Sequence, residues 1–362
     1  MTNKNSWFKN SWLMNTWLVA IVVSICGIVS VPANALSEVK MPEAKIQEVN
    51  IYSARKEALI KPLLDKFTGQ TGVKVNLVTG KADALLKRLT SEGMNSPADI
   101  LLTTDAGRLH RAKMAGVTQA FQSKQLESAI PSRYRDPEGQ WVALSLRLRP
   151  ILYMKGKVDP AELSSYEDLA NPKWKGRICI RSSGNIYNQS LVASLIAANG
   201  EAATEQWAKG LVANFARAPK GGDRDQIKAA AAGQCDIAIA NTYYLVGMLT
   251  SSDAAQAAAA KKMAVFWPNQ KARGAHVNVS GAALTRSSKH RDNAIKLIEF
   301  LASEEAQQWY AEINGEFPAR NHVPVSEVLK AWGEFRADTL NLSRLGELNT
   351  QAVMLMDRVG WK

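Results

Sequence analysis

Histidine is scarce in this chain, with four in 362 residues. His110, His276, His290 and His322 fall in separate segments, and no two are spaced as a ligand pair. That argues against a zinc or copper carrier, which needs imidazole or thiolate donors. Cysteine is scarcer still, three in all. Cys26 follows Ile25, where a bacterial lipoprotein wants a small residue, so no lipid anchor is expected. Acidic side chains are outnumbered, 33 against 45 basic, for a net charge of +12. The lysines are scattered rather than gathered in a stripe with interleaved aromatics, which speaks against nucleic acid and leaves an anionic cargo or surface as the partner of a basic protein. The chain has no Gly-x-Ser-x-Gly elbow and no Ser, His and Asp grouping, and Glu304-Glu305 reads as a solvated helix face; an enzyme is not expected. Internal repeats and long low-complexity linkers are also missing.

Only one apolar run approaches membrane-spanning length. Residues 1–35 carry Lys4 and Lys9 as their only charges, then the apolar stretch Leu18 to Val31, then Ala33-Asn34-Ala35. This is the pattern of a secretory signal peptide cut after Ala35. The rival reading is an uncleaved anchor, since Trp12 to Val31 is interrupted only by Asn15 and Thr16. Cleavage would remove two lysines and no acids, leaving 43 basic against 33 acidic side chains, a net charge of +10 on about 327 residues. A soluble monomer in the periplasm, long enough for two domains, is expected.

From Glu48 onward, short apolar runs alternate with helical periodicity. Val49 to Tyr52, Val73 to Val78 and Asp99 to Leu102 read as strands, and Glu57 to Phe67 and Ala82 to Ser91 as helices. Alternation of this kind implies βαβ units and a mainly parallel sheet, with ligands beyond the carboxyl ends of the strands. A second α/β series begins near Tyr153 and includes Arg177 to Ile180, a helix opening after Gly184-Asn185, another near Ala202 to Val212, and a strand ending at Asn241. The run Ala275 to Leu284 reads as a strand returning to the first lobe, and Asp292 to Ser303 as the helix after it. The expected division is 46–149 plus 275–325 for the first lobe, 150–274 for the second, and 326–362 for helices closing over both.

Two cysteines lie beyond the leader, both in strand-like runs: Cys179 in Arg177-Ile178-Cys179-Ile180 and Cys235 in Gln234-Cys235-Asp236-Ile237. An oxidising compartment could bridge them if those strands are neighbours; otherwise they are two buried thiols. The most informative feature follows the second of these runs. Tyr243-Tyr244 is set in Asn241-Thr242-Tyr243-Tyr244 directly after the apolar segment Asp236 to Ala240, where a strand turning into a helix lets adjacent side chains lean over one point. Ionising a phenol at pH 7 costs about 4 kcal/mol, and three would cost roughly 12. Only a highly charged, hard cation offsets that, and ferric iron is the natural candidate.

Tyr52-Ser53-Ala54-Arg55, Ser96-Pro97-Ala98-Asp99-Ile100, Tyr166-Glu167-Asp168-Leu169, Pro172-Lys173-Trp174-Lys175-Gly176-Arg177, Gly221-Gly222-Asp223-Arg224-Asp225 and Asn241-Thr242-Tyr243-Tyr244 resemble, in that order, the periplasmic ferric-ion-binding proteins of ABC transporters. The resemblance spans roughly residues 47–325. It implies a type II periplasmic-binding-protein fold, with two α/β lobes joined by two crossing strands, and delivery of cargo to an inner-membrane ABC permease. Carried over by position, the metal ligands are Tyr187, Tyr243 and Tyr244. Many members add a His-Tyr pair after the first strand, where this chain has Lys56-Glu57. That departure points to the three-tyrosine subclass, whose remaining positions are filled by a carboxylate, water or a synergistic anion such as carbonate. Glu57 and Tyr52 are candidates for that additional site. Arg147 matches a position facing the metal from the hinge, and three phenolates, Fe³⁺ and carbonate leave an anionic cluster that suits a guanidinium. The amides at the start of the helix after Ser182-Ser183-Gly184 offer the anion a second place. The competing reading is a protein of the same fold that binds a small anionic or organic ligand.

Overall fold

The computed structural model describes residues 47–362. The expected signal peptide lies outside them. Among the described residues, no helix is long and apolar enough to cross a membrane. The chain opens with β1 (Glu48–Ser53), α1 (Lys61–Thr71), β2 (Lys74–Thr79), α2 (Ala82–Glu92), β3 (Ile100–Thr104), α3 (Ala106–Met114), α4 (Lys124–Ala129) and β4 (Val142–Leu148). It continues through β5 (Ile151–Met154), β6 (Ile178–Cys179), α5 (Ile186–Asn199), α6 (Glu201–Ala213), α7 (Asp223–Ala231), β7 (Ile237–Ile239), α8 (Thr242–Leu249), α9 (Ala254–Lys261) and β8 (Met263–Phe266). It closes with β9 (Val277–Leu284), α10 (Arg291–Leu301), α11 (Glu304–Glu312), β10 (Phe317–Pro318), α12 (Glu327–Lys330), α13 (Ser343–Glu347) and α14 (Asn349–Arg358).

The strands form two sheets, a six-stranded one ordered β10-β4-β9-β3-β1-β2 and a four-stranded one ordered β6-β7-β5-β8. Helices flank both, in the two-lobe arrangement of a type II solute-binding fold. Each sheet is mixed rather than mainly parallel, which corrects the expectation from alternation. The pairs β1·β2, β1·β3 and β6·β7 are parallel, whereas β3·β9, β4·β9, β4·β10, β5·β7 and β5·β8 are antiparallel. The reason is the double crossing. The chain leaves the first sheet at β4 and enters the second at β5, then comes back from β8 to β9, and a strand that returns from the other lobe runs against the strands already there.

The crossing strands β4 and β9 are buried along their whole length. A strand covered on both faces normally reads as continuous aliphatic sequence. These two instead carry Ser145, Arg147, Asn278 and Ser280 within the buried run. Polar groups sealed at that depth need partners, and here the partners belong to the cleft between the lobes.

One helix boundary differs from expectation for a local reason. The helix expected over Glu57 to Phe67 begins at Lys61, because Pro62 is placed at its first turn; Glu57–Leu59 forms a separate 3₁₀ turn. The helix then ends at Gly72, whose φ of 71° closes it in the left-handed conformation. Cys179 and Cys235 are bonded through their sulfurs, with Cα atoms 5.9 Å apart.

Candidate metal centre

Carboxyl ends of strands from both sheets converge on a cleft of about 390 Å³ lined by Ala54, Arg55, Lys56 and Leu59 after β1, Thr104 of β3, Arg147 of β4, and Asn314 and Glu316 before β10. The second lobe contributes Tyr187 on the first turn of α5, Tyr243 and Tyr244 on the first turn of α8, and Arg224 on the first turn of α7. The rings of Tyr243 and Tyr244 lie 4.3 Å apart between centroids and 37° from parallel. As the strand-to-helix turn implied, the two neighbours lean over one point.

Arg147 ties this tyrosine group to the first lobe. Its Nη1 donates to the hydroxyls of Tyr187 at 3.5 Å and Tyr243 at 3.2 Å, its Nη2 to Glu316 at 2.8 Å, and its Nε to Ser280 at 2.7 Å. Its guanidinium carbon also lies 4.7 Å from the centre of the Tyr243 ring. Glu316 is shared with Arg55, whose Nη2 donates to it at 2.6 Å and to Ser145 at 2.9 Å, while the Ser145 hydroxyl donates to the same carboxylate. Two buried arginines thus bracket one buried glutamate. Each remaining tyrosine faces its own guanidinium: Arg224 lies 5.2 Å over the Tyr244 ring and Arg181 6.0 Å over that of Tyr187.

Burial pushes the Tyr243 phenol well above its ordinary value, and the neighbouring Tyr187 charge adds to that, with Arg147 opposing. Tyr244 is pushed up to about 12 by burial and then by Tyr187. Burial alone would favour a neutral Arg147, but Glu316 and the tyrosines outweigh it and keep the guanidinium charged. Burial likewise works against the Glu316 carboxylate, and Arg147 and Arg55 more than compensate, holding it below the usual glutamate range. In the cleft, Tyr243 and Tyr244 therefore stay protonated unless a strong cation enters, beside fixed cationic groups that suit an anion.

A family model of bacterial extracellular solute-binding proteins matches residues 95–337. The chain belongs to that family. Iron uptake protein A1 of Synechocystis sp. is 51% identical to this solute-binding protein over 316 residues, 87% of this chain and 88% of that protein. The major ferric iron-binding protein of Neisseria meningitidis serogroup B is 27% identical over 322 residues, 88% and 94% of the two chains. Among solved structures, Trichodesmium IdiA (FutA) in complex with iron and citrate ligands superposes with a TM-score of 0.85 at 51% identity, covering 87% of this chain and all of that one. The resemblance to periplasmic ferric-ion-binding proteins therefore extends over nearly all of the described chain.

Of the expected site residues, Tyr187, Tyr243, Tyr244 and Arg147 line the cleft of this solute-binding protein. Tyr52 does not. Its ring packs with Leu85, Leu89 and Leu101, its hydroxyl donates to Glu92 at 2.9 Å, and Arg88 lies 4.7 Å over its face. The cause is strand alternation: Tyr52 points to the α2 side of β1, and the chain turns toward the cleft only after Ser53. Glu57 is also displaced from the candidate set. It is exposed and opens the 3₁₀ turn, whose period of three brings Lys56 and Leu59 to the cleft side and leaves Glu57 off it. The cleft lining includes Tyr187 but not Ser182, Ser183 or Gly184. Arg224 of the glycine-rich loop, expected from sequence to hold that loop against the tyrosine-bearing turn, also lines the cleft, and two charged lining residues, Glu316 and Arg55, have no role in the sequence reading. Two arginines buried near strand ends require a carboxylate, and Glu316 supplies it.

Proposed function

We propose that this protein captures ferric iron in the periplasm through Tyr187, Tyr243 and Tyr244 and delivers it to an inner-membrane ABC permease. The observation that carries the reading is the convergence of three phenols on one cleft beneath a buried, permanently charged Arg147, in a chain whose relatives are iron-binding proteins. Three tyrosinates neutralise Fe³⁺. The cationic rim of Arg55, Lys56, Arg147 and Arg224 against Glu316 then has charge to spare for a synergistic anion, carbonate or a carboxylate such as citrate. Capture begins on the second lobe, residues 150–274, and hinge closure brings the first lobe over the metal. Release follows reduction, because Fe²⁺ suits phenolate less well, or protonation of the phenolates with loss of the anion. Export by a signal peptide cut after Ala35 is part of the same proposal.

Loading the purified protein with Fe³⁺ in the presence and absence of bicarbonate tests it. A visible tyrosinate-to-iron band is expected, and the Tyr187→Phe, Tyr243→Phe, Tyr244→Phe triple variant should lack it. A colourless wild type would leave the competing reading, a small anion held by the same cationic rim.

A further inference from the structure

We propose that Arg149, acting with Asp223, is the positioning residue of this site: a buried guanidinium on the crossing segment that fixes the two tyrosine-bearing turns, and the turn that carries Arg224, in register for iron before the lobes close. This rests on the ferric-iron reading above and adds a residue that touches neither metal nor anion.

Arg149 follows β4 directly and is only 1% exposed. Its Nη1 donates to Asp223 at 2.8 Å and to the side-chain oxygen of Asn241 at 2.9 Å. Its Nη2 donates to the side-chain oxygen of Asn188 at 2.7 Å and to the Ile239 carbonyl at 3.1 Å. Each side-chain acceptor is beside a tyrosine or beside a residue that packs on one. Asn188 follows Tyr187, Asn241 precedes Tyr243 by two residues, and Asp223 precedes Arg224, which stacks on Tyr244. Asp223 closes the assembly by accepting from the Asn241 amide at 3.1 Å and from Arg181 at 2.7 Å. The Asn188 amide group donates to the Arg181 and Ser182 carbonyls at 2.8 and 3.2 Å, pinning the loop before α5.

The geometry needs a fork. Four acceptors on three separate segments are reached from two nitrogens held in one plane, with only Nε left without a partner; an ammonium on a flexible stem cannot reproduce that spread. Arg147, two residues earlier, reaches the phenol hydroxyls. The same short stretch of hinge therefore carries one arginine to the metal-facing oxygens and another to the scaffold beneath them.

The test uses Fe³⁺ with bicarbonate, read by visible absorption and by competition with added citrate. Arg149→Lys, shown to be folded by circular dichroism and a cooperative melt, is expected to have a shifted, weakened band and to surrender iron at a citrate concentration at least tenfold lower than wild type. Asn188→Ala, which releases the α5 anchor together with its bonds to the loop before α5, should move the band in the same direction by less. Arg177→Met removes a partly exposed pair with Asp236 in the same lobe and should leave the band where it is. A folded Arg149→Lys with the wild-type band and affinity would overturn the inference. If Arg149→Lys does not fold, an unmoved band in Asn188→Ala overturns it instead. A colourless wild type removes the iron reading and this inference together, whereas a coloured wild type with unmoved variants removes this inference alone.

Discussion

His276 and Glu316 are buried at the hinge and both make the fold sensitive to acid. Burial depresses the His276 imidazole to about 3, with Arg273 and Arg149 adding to the effect. In the unfolded chain it titrates near 6.5. Below that value the unfolded chain takes up a proton that the fold refuses, so stability present above pH 6.5 is lost as pH falls toward 3, on the order of 5 kcal/mol over the window. Glu316, held below the usual glutamate range, contributes in the same sense at lower pH: its stabilisation is present above its unfolded value and disappears as pH falls through the folded one. Urea midpoints at pH 7 and pH 5 should therefore fall for the wild type, while His276→Gln should lose much less over that interval; equal losses would rule the assignment out. At this scale the strand-to-helix turn located Tyr243 and Tyr244 at the cleft, whereas Tyr187 was found only through the resemblance. Glu316 was not legible. It is a single acid in Asn314-Gly315-Glu316-Phe317, and nothing local records that two arginines more than a hundred residues upstream close on it. Tyr52 misled for the opposite reason: proximity to a strand end says little about direction when side chains alternate.

Among the elements, β6 is the weakest link to the site. It pairs with β7 only through Ile178↔Ile237 and Cys179↔Ala238, yet it leads to the loop that sets Tyr187. The Cys179–Cys235 bond, spanning 56 residues, reinforces this short pairing. Closing a loop of that length removes about 4 kcal/mol of unfolded-state freedom in the chain-entropy model. The Cys179→Ala, Cys235→Ala double variant should lose up to that amount in urea denaturation, and an unchanged midpoint would contradict it. Most elements were readable from periodicity, α2 from Ala82 and α6 near Ala202 among them, because their apolar spacing is strong. Pairing direction was not readable. β9 has the same composition whether it enters the sheet parallel or antiparallel, and only the return from the other lobe decides.

In the molecule as a whole, one of the contacts that join the lobes rests on strained backbone. Asp105, opening α3 in the first lobe, sits at φ 81°, a conformation side chains rarely adopt. Such backbone costs about 1–3 kcal/mol and persists only where surroundings over-determine it. Here its carboxylate accepts from the Gly107 amide at 2.8 Å, from Asn278 of the crossing strand β9 at 2.8 Å, and from Ser190 of α5 at 2.7 Å. The first two bonds lie within the first-lobe sheet and its hinge. The third joins the lobes. Ser190→Ala should therefore leave the tyrosine cluster and its visible band intact while removing a hydrogen bond that joins the lobes, worth about 0.5–1.5 kcal/mol. Because a ligand shifts a two-state equilibrium only by its differential affinity, the variant should bind Fe³⁺ up to roughly tenfold more weakly, and in small-angle scattering its iron-loaded form should be more expanded than the loaded wild type. Unchanged affinity together with an unchanged radius of gyration would remove Asp105 and Ser190 from the closing mechanism.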